Sequence, residues 1–336
     1  MKAYQLIAAS GAQALKQNEL TEPKPAFGQV LVRVRATSLN YRDLMVASGR
    51  YGAGVPLPLI PLSDGAGEIV VVGDGVTQWK VGDRVAGTFF QRWQTGPVRR
   101  EAFDSALGGS INGMLAEYVP LSAEGVIAIP SHLEFEEAAT LPCAALTAWH
   151  ALVTGGNVSA GQTVLVLGTG GVSIFALQFA KMHGARVIIT SSSDAKLARA
   201  KELGADEIIN YRTTPDWEKE VFRLTDKAGA DHVIEVGGTD TFPRSLRAVA
   251  MGGTISVIGG VSGFTSEVPL RDILGKSTMI RGIFVGSRDM FAAMNRAISQ
   301  HKLKPVVDRI FPFSEAPAAY RHQESGSHLG KVVISV

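Results

Sequence analysis

The chain reads as an α/β protein: a doubly wound parallel sheet joined to a β-barrel domain. Three observations predict this. A strand, a glycine turn and a helix follow one another over residues 163–183, strands and helices alternate from residue 130 onward, and the first third consists of short strands and glycine-rich turns. At 336 residues the chain exceeds what one hydrophobic core usually serves, so two domains are expected.

Composition narrows the function classes. Hydrophobic residues make up 46% and charged residues 19%, as in ordinary globular proteins. The 33 basic and 31 acidic side chains are mixed along the chain and leave a net charge of +2, which argues against nucleic-acid and membrane-surface partners. The opening Met1-Lys2-Ala3-Tyr4-Gln5-Leu6-Ile7 reads as a strand rather than a signal peptide, so a cytoplasmic protein is expected. A single cysteine, Cys143, rules out an intrachain disulfide and a multi-cysteine zinc site.

Residues 1–127 are assigned to the first part of the barrel domain. In Gln29 to Ala36, Val30, Val32, Val34 and Ala36 share one face while Arg33 and Arg35 take the other, the alternation of a half-exposed antiparallel strand. Residues 68–72, the turn Gly73-Asp74-Gly75 and residues 81–85 continue the pattern. Residues 128–285 are assigned to the parallel-sheet domain. Its strands are expected at 163–167, 186–190, 207–210, 231–236, 254–258 and 279–285, with helices at 173–183, 194–203, 215–226 and 242–251. Thr214 and Asp194 are expected to cap helices, with Pro215 in a first turn. Residues 286–336 hold one helix, at 290–300, and a closing strand at 331–336; too small for a core, they are expected to return to the first domain.

The run Val164-Leu165-Val166-Leu167-Gly168-Thr169-Gly170-Gly171-Val172-Ser173 carries the most chemistry. Gly168 permits a tight turn, Gly170 and Gly171 let the backbone approach a pyrophosphate, and the small Ser173 lets helix pack on strand. The helix N-terminus then offers N–H groups to phosphates, so a Rossmann dinucleotide site is expected. The second strand of such a site ends in a carboxylate when the ribose 2′-hydroxyl is free. Here it ends in Ser191, Ser192 and Ser193, with Lys196 just beyond, a set suited to a 2′-phosphate and hence to NADP(H).

With these features in place the sequence resembles the medium-chain dehydrogenase/reductases, and within them the zinc-free quinone oxidoreductase and enoyl reductase branch. The likeness spans Pro58 to Gly67, Val81-Gly82-Asp83-Arg84-Val85, residues 138–152 and 196–211, and Gly330-Lys331-Val332-Val333. It implies that the barrel is a GroES-like catalytic domain. Zinc enzymes of the superfamily hold their metal with Cys, His and Cys; the matching positions here resemble Asn40, Asp64 and Cys143, so no metal is expected. Without that Lewis acid, alcohol oxidation loses its usual driver, and hydride transfer from NADPH to a quinone or α,β-unsaturated carbonyl becomes the expected reaction. A metal-free alcohol or aldehyde dehydrogenase and an NADPH-bound binding protein with little turnover are the competing readings.

The resemblance also implies site roles. Asn40 would orient substrate or nicotinamide, Tyr51 would donate a proton, and Asp64 would make polar contacts near them. Thr147, Val172, Tyr211, Gly259 and Phe284 would join the glycines and Ser191, Ser192 and Lys196 in holding the cofactor. The apolar stretch 278–285 falls where this superfamily pairs sheet edges, which implies a homodimer or a dimer of dimers.

Overall fold

The computed structural model describes residues 1–52 and 54–336. They form two compact units, Met1–Leu146 with Gly286–Val336, and Thr147–Val285.

The first unit opens with the antiparallel pair β1 (Lys2–Leu6) and β2 (Leu15–Glu19). Its main sheet is built around the ten-residue β3 (Gln29–Ser38), which pairs antiparallel with β4 (Asp64–Val72); β5 (Arg84–Gly87), β6 (Tyr118–Ser122) and β7 (Val126–Ala128) complete this part. Val30, Val32, Val34 and Ala36 are buried as the alternation requires, and Arg33 is exposed.

In the second unit β8 (Thr163–Leu167), β9 (Arg186–Ser191), β10 (Glu207–Asn210), β11 (Ala230–Glu235), β12 (Val249–Val257) and β13 (Met279–Gly282) form a wholly parallel sheet in the order β10-β9-β8-β11-β12-β13. Val164, Leu165, Val166, Val187, Ile188 and Ile189 are fully buried, as expected of strands covered on both faces. Helices Gly171–Met182, Asp194–Glu202, Trp217–Leu224 and Phe242–Ala248 make the crossovers.

The chain then returns to the first unit. After the helix Arg288–His301, β14 (Val307–Pro312) pairs parallel with β15 (Lys331–Ser335), and β15 pairs antiparallel with the end of β3, Val333 opposite Ser38.

Several local expectations are corrected. The division between units falls after Leu146 rather than after residue 127, because residues 128–146 are tied to the barrel: Arg84 donates to the Leu133 carbonyl at 2.8 Å and Ser38 Oγ to the Ala139 carbonyl at 2.9 Å. Ser193, not Asp194, caps its helix, its hydroxyl accepting from the Lys196 N–H, while the Asp194 carboxylate accepts from Asn210 Nδ2 at 2.6 Å. Asp216, not Thr214, is the N-cap of the next helix, which starts at Trp217 and leaves Pro215 outside it. The helix expected to run to residue 251 stops at Ala248, and residues 249–251 begin β12. β13 ends at Gly282 rather than 285, and Val285 sits at φ +34°.

Candidate nucleotide site and candidate active site

The turn after β8 has the geometry its glycines predicted. Gly168 takes φ +72°, a left-handed conformation that costs glycine nothing, and a Cβ at either Gly168 or Gly170 would point into open space. Gly170 then caps the helix Gly171–Met182. The first-turn N–H groups of that helix, those of Gly171 and Val172 included, have no intrahelical acceptor and carry the positive end of its dipole. Ser173 is buried and donates to the Leu167 carbonyl at 2.7 Å, locking helix to strand as the small residue was expected to do.

A cleft of about 520 Å³ opens at the carboxyl ends of β8 and β11, where the strand order reverses. Gly168, Thr190, Tyr211, Trp217, Thr241 and Arg244 are among its walls. The loop following β11 is held by the fully buried Glu235, whose carboxylate accepts from the Gly237 and Gly238 N–H groups at 2.8 and 3.0 Å and from Thr241 Oγ1 at 2.6 Å. An open glycine turn, a helix N-terminus and a preformed cleft fit a nicotinamide dinucleotide; Gly168 and Gly170 would lie under its pyrophosphate and Tyr211 beside its adenosine.

The three serines divide their work. Ser191 is buried and its Oγ accepts from the Ser193 N–H at 3.3 Å, and Ser193 is the helix cap, so Ser192, half-buried, has the hydroxyl least committed to the backbone. Lys196 lies half-buried in the first turn after them, and Tyr211, 42% exposed, is tied to Ser191 by its N–H at 3.1 Å. Of the other expected cofactor residues, Thr147 is buried, Gly259 lies against the Val236 carbonyl, and Phe284 exposes about half its surface. Trp217 and Arg244 carried no motif in the sequence; only the fold brings them to the cleft.

In the first unit Asn40, Asp64 and Cys143 do come together, around a residue the sequence reading had not singled out. Lys331, at the start of β15, is 2% exposed. Because β15 runs antiparallel to the end of β3, Lys331 reaches past Ser38 to the segment that follows it. Its ammonium donates to the Leu39 carbonyl at 2.5 Å and to Asn40 Oδ1 at 2.6 Å, and lies 3.8 Å from Asp64 Oδ2. A lysine among Val332, Val333 and Ile334 was the available signal, since a charge on a buried strand needs partners.

Asp64 is fully buried and opposite Ser38 in the β3–β4 ladder. It accepts from Ser63 Oγ at 2.7 Å and from the Cys143 N–H at 3.2 Å. Burial raises its pKa, opposed first by the Lys331 charge and then by the neighbouring Ser63 hydroxyl, Asn40 amide and Cys143 N–H. Asn40 caps the helix Tyr41–Ala47, and its N–H is held at 2.7 Å by the Asp43 carboxylate. Burial lifts Asp43 to about 6, against the pull of Arg42. The Cys143 thiol is pushed far up by burial and by Asp64, and stays protonated.

These groups do not fit a metal ion. One thiol, an amide and one carboxylate form a poor donor set, and the carboxylate and the amide oxygen already face an ammonium. Among the described residues no three His, Cys, Asp or Glu side chains are grouped as metal ligands.

Tyr51 lies nearby. Its ring centre is 5.0 Å from the Arg42 guanidinium, which also lies 4.7 Å from Phe89, so Arg42 is held against two aromatic faces. Several buried polar atoms here lack hydrogen-bond partners: Asn40 Nδ2, Arg42 Nε and Nη2, Asp43 Oδ1 and Tyr320 Oη. Each unmet group costs about 1–3 kcal/mol, a concentration typical of a site completed by something else.

Two family models match the chain: an alcohol dehydrogenase GroES-like domain over residues 26–131 and a zinc-binding dehydrogenase over residues 171–300. A zinc-type alcohol dehydrogenase-like protein of Schizosaccharomyces pombe is 46% identical over 334 residues, 97% of this chain and 96% of the relative. An acryloyl-coenzyme A reductase of Metallosphaera sedula is 31% identical across 96% of this chain and 97% of its own. Among solved structures, a putative alcohol dehydrogenase from Sinorhizobium meliloti superposes with a TM-score of 0.94 at 42% identity, covering 100% of this chain and 98% of that one. A barrel unit joined to a parallel-sheet unit with a glycine turn for a nicotinamide dinucleotide defines an oxidoreductase. The chain belongs to the medium-chain dehydrogenase/reductase family, whose members work with a nicotinamide cofactor.

Proposed function

We propose that the protein is an NADPH-dependent reductase of quinones or α,β-unsaturated carbonyls that works without a metal. The observation that carries this reading is the Lys331 ammonium bound to Asn40 and paired with Asp64 at positions resembling metal ligands. A fixed cation there leaves no room for a second one, and the chemistry open to the site is reduction of an acceptor already activated by conjugation. The acryloyl-coenzyme A reductase among the relatives supports an unsaturated carbonyl as acceptor.

The bound cofactor supplies a hydride. The chain holds it through the backbone of Gly168, Gly170, Gly171 and Val172 and the walls of the cleft, with Thr147, Gly259 and Phe284 further along it. Ser192 and Lys196 favour the 2′-phosphate of NADPH over the free ribose of NADH, because hydroxyl and ammonium attract a charge that a carboxylate would repel. Asn40 orients the acceptor, and Tyr51 donates the proton that completes reduction of an enone.

We further infer a cytoplasmic homodimer, or a dimer of dimers, joined through β13. This strand is the sheet edge, paired among the described residues only with β12, and exposes Met279 and Ile280 at 48% and 38%. Pairing with a second copy would satisfy the open backbone edge. Among the described residues no helix is long and apolar enough to cross a membrane.

The test is an NADPH-oxidation panel across 1,4-benzoquinone, 2-cyclohexen-1-one, acryloyl-coenzyme A and simple aldehydes, repeated with NADH and with a chelator. Turnover of a quinone or conjugated carbonyl that survives chelation supports the reading. Activity confined to alcohols or aldehydes, or about one zinc per chain by elemental analysis, overturns it.

A further inference from the structure

We propose that Lys331 is a positioning residue that presents the Asn40 amide as a polarised hydrogen-bond donor to the oxygen of a bound carbonyl or quinone. The inference rests on the reductase reading for its ligand class; its structural part stands on Lys331 and Asn40 alone.

Lysine has donors and no acceptor, so the amide atom 2.6 Å from Lys331 Nζ must be oxygen. That contact settles the amide's orientation, which would otherwise be free to flip. The ammonium also donates to the Leu39 carbonyl and lies beside the Asp64 carboxylate at 3.8 Å, so Lys331 is held from three sides.

Fixing Oδ1 on Lys331 leaves Nδ2 as the amide's unused end. Asn40 is 8% exposed, and its Nδ2 makes no hydrogen bond. Asp64 lies close enough for Asn40 to favour its charge, yet its oxygens are committed, Oδ1 to Ser63 and Oδ2 to the Cys143 N–H and Lys331. A buried amide donor in want of an acceptor is best satisfied by an oxygen that carries no proton, which is what a quinone or enone presents.

The same contact strengthens the donor. An ammonium on the amide oxygen draws electron density from the nitrogen, so the N–H bonds are more polar than those of an ordinary asparagine. As negative charge gathers on the acceptor oxygen during reduction, this prepositioned donor stabilises it without reorganisation. The cation thus acts through Asn40, one residue removed from the reacting atoms.

The experiment pairs kinetics with a measurement that needs no turnover. With NADPH and 2-cyclohexen-1-one or 1,4-benzoquinone, Lys331→Met should lower kcat at least tenfold while changing KM less than about threefold, and Lys331→Gln, which keeps a neutral donor, should fall between it and wild type. In an Asn40→Ala background, Lys331→Met should cost no more than about twofold further, since residues that act through one contact are not additive. Full additivity, or equal losses in Met and Gln variants, overturns the proposal while leaving the reductase reading intact. In protein labelled with 15N-asparagine and free of cofactor, the Asn40 side-chain resonances, assigned by their loss in Asn40→Ala, should shift on titration with 2-cyclohexen-1-one in wild type and not in Lys331→Met. Absence of that shift in wild type, or its persistence in both Lys331→Met and Lys331→Gln, overturns it as well. If no acceptor is reduced at all, the reductase reading fails and the resonance shift alone decides the role of Lys331.

Discussion

The carboxylate of Asp43 accepts the N–H of Asn40 at 2.7 Å, which binds the start of the helix Tyr41–Ala47 to a buried acid. Arg42, Asp64, Lys331, the Cys143 thiol and the Tyr320 phenol are charged or titratable groups that bear on it. Its pKa rises from 3.8 to about 6, so the folded state binds the proton more tightly than the unfolded chain. Stability from this group is full below about pH 4 and is lost as pH rises through about 6. Asp43→Asn keeps a capping oxygen and removes the titration. Relative to wild type it should gain roughly 1–1.5 kcal/mol between pH 5 and pH 8, read by urea unfolding at both values. A difference that stays constant across that range would show that Asp43 does not titrate there.

Cofactor choice should respond to Ser192. Wild type is expected to bind NADPH at least about tenfold more tightly than NADH, by fluorescence titration, from the added charge-assisted contacts. Ser192→Asp should weaken NADPH by about tenfold or more and leave NADH nearly unchanged. Ser191→Asp is the poorer probe, because Ser191 is buried and a carboxylate there would also strain the strand end. Equal losses for both cofactors would mean that Ser192 faces away from the 2′-phosphate.

Cys143 contributes to the site through its backbone N–H, which donates to Asp64, while its thiol stays protonated. Cys143→Ser therefore should retain activity within about threefold and resist alkylating agents no differently from wild type. A loss of a hundredfold or more, the scale on which a catalytic or metal-bound thiol is missed, would contradict the metal-free reading.

Tyr51 separates two roles. If its hydroxyl delivers a proton, Tyr51→Phe should cut turnover of 2-cyclohexen-1-one by ~10² or more, reduce 1,4-benzoquinone turnover much less, and leave NADPH affinity alone. The ring would still face Arg42 at the distance seen now, 5.0 Å. Equal, small losses on both acceptors would leave Tyr51 as the aromatic face that steadies Arg42, and the proton would come from water.

Much of this architecture was written in local pattern. The run from Val164 to Ser173 alone specified a strand, a tight glycine turn and a helix, because hydrophobic spacing and glycine conformation are properties of neighbouring residues. The six parallel strands followed from the same signals, and the family resemblance pointed to Asn40, Asp64 and Cys143, which the fold brings together. Helix caps were read less well. Ser193 and Asp216 displaced Asp194 and Thr214 because neighbouring polar residues compete for one cap, and the backbone angle of each decides. What tertiary structure alone decided is the company of Lys331. In the sequence it is one lysine in a closing strand, 291 residues from Asn40. Antiparallel pairing of β15 with β3 carries its ammonium into a buried space beside Asp64, where partners and desolvation, set by the fold rather than by neighbours in the chain, determine what the charge can do.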